Sequence, residues 1–183
     1  MIPDMALPIT SSSLDGLVPF GSTRWWGFAA LILFARSMDL LSTWIATPNL
    51  VLEGNPIARK LGWKFGIPLN FGLALTFAWW PMLAISLSTT SVLVAARNFQ
   101  HAWLMRAMGE ANYRAWFSYC VDQSQKRFVL ACYWAEALLA GGVGACLMYF
   151  AGWQLIPFAI GLGIGGYATA IAFFISLAIW RLH

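Results

Sequence analysis

Arg36, Asp39 and Glu136 lie within stretches that are otherwise apolar and long enough to sit in a membrane. A charged side chain at that depth is costly unless it is paired or used, so these three residues are where chemistry is to be sought. Arg36, Asp39 and Thr43 follow one another in steps of three and four residues, which puts them on one helical face, and Ser42 remains within reach of Asp39. With a rise of about 1.5 Å per residue, Arg36 stands roughly 17 Å and Asp39 roughly 21 Å from the start of their span, and Glu136 roughly 12 Å along its own. The three are expected to meet, with Arg36 neutralised by Asp39, Glu136 or both. Two acids and one base leave a net negative charge, and the unpaired acid would hold its proton more tightly and could carry one. On that reading the cluster is a proton, ion or substrate site. On the plainer reading it is a lock that keeps helices in register.

A second group follows the first along the chain, in the turn Glu53-Gly54-Asn55-Pro56. Asp39, Glu53 and Asn55 offer the oxygen ligands that suit a hard cation. The alternative is an ordinary turn, with Asn55 held extended by Pro56 and Glu53 solvated. Other chemistries lack their residues. The histidines, His101 and His183, lie in a loop and at the terminus, so no histidine-ligated haem or chlorophyll is expected within the spans. Metalloprotease, serine-hydrolase, rhomboid-like, phosphate-loop and aspartate-rich signatures are missing, and no metal site is assigned. Cys120, Cys132 and Cys146 are odd in number, have no zinc or C-x-x-C spacing, and read as small buried hydrophobes.

The elements that must position these residues are membrane helices. The chain of 183 residues is 60% hydrophobic and 10% charged, with mean hydropathy +0.69; such a balance calls for a bilayer as solvent and a single membrane domain over 1–183. The expected fold is all-α and integral to the membrane, with four transmembrane helices over about 25–46, 68–96, 128–150 and 155–180. An interfacial amphipathic helix is expected between the second and third, from the spacing of Arg106, Glu110 and Arg114. Residues 1–24 carry three prolines and no basic residue before Arg24; they read as an irregular arm rather than a secretory signal, and a partner subunit is a candidate for holding it. Trp79 and Trp80 fall near the middle of the second span, where they are ligand-packing candidates for a bound lipid or pigment, and Pro81 is expected to kink the helix. Gly141 to Ala145 and Gly161 to Gly165 are small-x-x-x-small spacings, which predict close packing of the last two spans. An even number of spans and the positive-inside rule together predict that both termini are cytoplasmic, in a prokaryotic cytoplasmic (inner) membrane. The basic residues are scattered, which argues against nucleic acid.

Asp39-x3-Thr43, a proline-containing break and then Glu53-x-Asn55-Pro56 resemble an uncharacterised family of small prokaryotic multi-pass membrane proteins. The resemblance covers about residues 34–75. Members often place a lysine early in the second helix, where this chain offers Asn70, with Lys64 lying earlier. The family has no established activity, so the resemblance implies no reaction; it implies that Asp39, Thr43, Glu53, Asn55 and Pro56 act as one unit. With no catalytic constellation and many aromatic residues in the spans, the leading expectation is a non-catalytic accessory or structural subunit of a larger membrane complex, such as an energy-transducing one, with other membrane subunits and lipid as partners. The alternative is an independent transporter or membrane enzyme that uses the acidic site around Asp39.

Overall fold

The computed structural model describes residues 16–152 and 154–181. These form α1 (Thr23–Ala46), α2 (Pro56–Phe77), α3 (Pro81–Met108), α4 (Glu110–Gln123), α5 (Lys126–Ala151) and α6 (Leu155–Trp180). Four of them, α1, α3, α5 and α6, are long and apolar enough to cross a membrane. Most of the expected arm, and His183, lie outside the described residues.

Prolines and a few polar caps set the helix boundaries. Ser22 caps α1 by accepting from the Trp25 N–H at 3.2 Å. The helix stops at Thr47, which is non-helical because Pro48 follows it. Asn55 caps α2, accepting from the Ile57 N–H at 2.9 Å, and Pro56 occupies the first helical position, where its missing N–H costs nothing. Pro81 has a larger effect than a kink. It draws Trp80 into an extended conformation, so the expected span 68–96 is divided between two helices joined by the turn Ala78–Trp80. Trp79 and Trp80 are thereby moved from the middle of a span to one end of the bundle, where tryptophan ordinarily sits. Trp79 packs there on Val18, Trp25, Ala29 and Ala78, and its carbonyl accepts from the Val18 N–H at 3.0 Å. Likewise α3 runs on to Met108, and Gly109, at φ 75°, turns the chain into α4. Arg106 and Glu110 therefore lie in different helices, not on one amphipathic face.

Cross-helix contacts fix the direction of each helix. Arg36 faces Ser91, and Ser42 and Thr43 face Asn98, so α1 and α3 are parallel. Ser86 and Thr90 donate to the Ala159 and Gly163 carbonyls at 2.9 and 2.8 Å, so α3 and α6 are also parallel. Gly144 lies against Gly161, and Gly141 against Ala168, which makes α5 and α6 antiparallel. A Cβ on Gly161 would lie 2.6 Å from the Gly144 carbonyl oxygen, and one on Gly163 2.6 Å from the Ser86 oxygen; only glycine allows these backbones to approach so closely. From the loop after α1, α2 returns to the Trp79 end. The chain therefore traverses the bundle five times, by α1, α2, α3, α5 and α6. The start of α1 and the end of α6 lie at opposite ends of the bundle. A hydropathy reading misses the α2 traverse because Arg59, Lys60 and Lys64 crowd its first turns.

The cysteines are corrected too. Cys132 and Cys146 are exposed and Cys120 is half-buried, all as free thiols. In a membrane protein the outward face is itself apolar, so a small hydrophobe has no need of the interior.

Candidate functional site

Arg36 is the centre of a polar node at mid-depth. Its guanidinium donates to Asp39 Oδ2 at 2.7 Å, to Ser91 Oγ at 3.1 Å and to Asn70 Oδ1. One planar donor group thus ties together α1, α3 and α2. Asn70 is fixed in turn by donating to the Gly66 carbonyl at 2.7 Å. Glu136 is not part of this node. It pairs with Arg97 of α3, whose guanidinium also lies over the Tyr133 ring. The expected three-charge cluster is instead two separate ion pairs, Arg36–Asp39 and Arg97–Glu136. The physical reason is direction: α5 presents Glu136 to α3, while α1 lies on the far side of α3. Thr43 accepts from Asn98 Nδ2 at 3.3 Å.

The Glu53-Gly54-Asn55-Pro56 turn starts a helix. Glu53 accepts from the Asn55 N–H at 2.7 Å, Asn55 caps α2, and Pro56 opens it. The loop also folds back over the helices, so that Glu53 and Asp39 line the same cavity. Burial pushes the Glu53 carboxyl above the usual carboxylate range; the Asn55 N–H opposes that and the Asp39 charge adds to it. Asn55 spends its side-chain oxygen on the cap, and among the described residues no three His, Cys, Asp or Glu side chains converge as metal ligands.

Glu110 is the residue that the sequence reading did not connect to this site. Its carboxylate accepts from the Asn49 N–H at 2.8 Å, the Val51 N–H at 3.0 Å, Thr47 Oγ1 at 3.0 Å and Asn49 Nδ2 at 3.2 Å. Partial burial alone would raise its pKa, but the four donors outweigh it and hold the carboxyl below the usual range. The first residue of α4 thus fastens the loop after α1. Only the polarity of 47–55 and the Gly109 break hint at this in the sequence.

Between these parts lies a cavity of about 560 Å³, running from Arg36, Asp39 and Asn70 at its floor to Arg114 and Arg181 at its rim. Five arginines line it (Arg36, Arg59, Arg97, Arg114 and Arg181) together with His101, against the carboxylates Asp39 and Glu53. Arg36 and Arg97 have carboxylate partners; Arg59, Arg114 and Arg181 have none among the described residues. The cavity therefore carries an excess of positive charge in a partly apolar surrounding, which favours an anion. Trp79 and Trp80 are at the opposite end of the molecule and take no part in it. Comparison with protein-family models, with curated proteins and with solved structures finds no match.

Proposed function

We propose that the protein is an independent membrane carrier that takes an organic anion into the cavity between its helices. The observation that carries this reading is the cavity itself, with three arginines at the rim that have no carboxylate partner among the described residues and the Arg36–Asp39 pair at the floor. A subunit that only filled space would have no reason to hold a polar void there. The attachment of α2 supports a moving part. It is bent at Gly62 (φ 62°, ψ −172°) and packs mainly on α1, with a minor contact to α3; its polar ties are the hydrogen bond that Asn70 accepts from Arg36 of α1 and one from Trp63 Nε1 to the Pro48 carbonyl, in the loop after α1, at 2.8 Å. On this reading α2 is a fifth crossing. Arg59, Lys60, Lys64, Arg106, Arg114, Lys126, Arg127 and Arg181 then share one end and Arg24 stands at the other. The positive-inside rule makes the arginine-rich rim cytoplasmic, with the start of α1 at the outer face and α4 along the inner surface of a prokaryotic cytoplasmic membrane.

The test is thermal stability of the purified protein in a neutral detergent with inorganic phosphate, citrate or glutamate added. At least one anion should stabilise the wild type in a saturable way and fail to stabilise Arg36→Gln. If none does so, the cavity holds no site for a soluble anion. A second reading, the accessory subunit, draws on the outward face of α5, where Leu138, Leu139 and Phe150 are exposed and lipid or a partner helix must cover them. A stoichiometric partner that co-migrates after mild-detergent extraction would favour it. Asp39→Asn separates the two: loss of anion binding with an intact protein supports the site, and loss of assembly supports the subunit.

A further inference from the structure

We infer that the anion taken by this cavity is the phosphate headgroup of a membrane lipid, which enters sideways between α2 and α6. The inference rests on the carrier reading above and names its substrate class. Its starting point is how the cavity is walled. Ala58, Trp63 and Asn70 of α2 and Tyr167, Phe174 and Ile175 of α6 line it from two sides. Yet α2 packs on α1, with a minor contact to α3, and forms no packed seam with α5 or α6. The bundle therefore has no helix seam along the α2–α6 side; only the loop before α2 touches α6 there, with Gly54 against Phe174, so the way to the hydrocarbon lies below that contact. A soluble anion has no use for such an opening, whereas a lipid needs one, because its chains must stay in the bilayer while its headgroup enters a polar site.

The rim supplies the complementary chemistry. Arg59 of α2, Arg114 of α4 and Arg181 after α6 come from three elements to one cavity mouth, each without a carboxylate partner among the described residues. Guanidinium groups grip phosphate oxygens two at a time, and basic pockets between membrane helices on the cytoplasmic side are suited to anionic headgroups. Below the rim, Phe174, Ile175 and Ala178 give an apolar wall on the α6 side, in line with an acyl chain passing outward.

The experiment compares lipid and soluble sources of the same phosphate chemistry. Delipidated protein in neutral detergent is titrated with phosphatidylglycerol, phosphatidylcholine or glycerol phosphate, with melting temperature and native mass spectrometry as readouts. Phosphatidylglycerol should bind about one to one and raise the melting temperature. An Arg114→Gln/Arg181→Gln double variant should bind it about ten-fold or more weaker, while Arg106→Gln, on the same end but outside the cavity, should bind it as the wild type does. Stabilisation by glycerol phosphate equal to that by phosphatidylglycerol, with the same arginine dependence, would overturn the lipid assignment and leave the anion carrier standing. Equal losses in the double variant and Arg106→Gln would reduce the lipid to unspecific surface attraction and overturn the assignment too. If no lipid and no soluble anion binds, both readings fall.

Discussion

The two halves of this bundle are held together by different means. On one side α3, α6 and α5 meet through glycines and hydroxyls. Backbone lies on backbone at Gly144, Gly161 and Gly163, and Ser86 and Thr90 bridge α3 to α6 through carbonyls. On the other side α2, α4 and the loop 47–55 meet through long polar side chains around an open cavity, beside α1, which is itself closely packed on α3. Without a hydrophobic drive between helices in lipid, close approach of small residues is what makes a rigid seam. Arginine and carboxylate links span a gap instead, and they can exchange partners. The rigid half is thus the frame, and the polar half is where binding and motion belong.

Breaking the frame should have the largest effect. Gly161→Val puts a side chain against the Gly144 carbonyl and Met148, where backbone cannot yield; we expect a loss of about 3 kcal/mol. That corresponds to a fall of roughly 6–12 °C in melting temperature, read by tryptophan fluorescence in detergent. A variant that melted like the wild type would mean that the seam is loose. Arg36→Gln should cost less, about 1–3 kcal/mol, because the ion pair it breaks is only partly buried. Its effect should also be local: faster hydrogen exchange in residues 63–77 of α2, with α5 and α6 unchanged. Uniformly faster exchange would show that the two halves are one cooperative unit.

The smallest effects should come from two carboxylates near the loop, and they should have opposite signs. Glu110 has its pKa lowered by folding, so its stabilisation is present above the ordinary carboxylate range and is lost as pH falls through its folded value. Glu53 has its pKa raised, so its contribution is present at low pH and is lost as pH rises through its folded value. At neutral pH Glu110→Gln should therefore destabilise, by about 1 kcal/mol or less given its exposure, and speed exchange at the Asn49 and Val51 amides. Glu53→Gln, which keeps an acceptor for the Asn55 N–H, should be neutral or slightly stabilising. Equal signs for the two would remove the distinction between a latch and a buried charge.

Much of this was legible from residue types alone. The long apolar runs of α1, α5 and α6 announce themselves, since a helix in lipid satisfies its own backbone and must be apolar outside. Arg36 and Asp39, three apart, had to be neighbours on one helix, whereas Asn55-Pro56, read as a turn ahead of a span at about 68, in fact caps and opens α2. The chain by itself therefore determined the membrane class, the approximate bounds of α1, α5 and α6, and the local ion pair. Tertiary structure decided the rest. Glu136 chose Arg97 over Arg36, Glu110 reached back some sixty positions to Asn49 and Val51, and α2 became a traverse despite its three early cations. Each of these depends on which helix faces which and in what direction. Side chains far apart in the chain meet only after the glycine seams and the break at Pro81 have set the order of the helices, and no periodicity within one helix encodes that order.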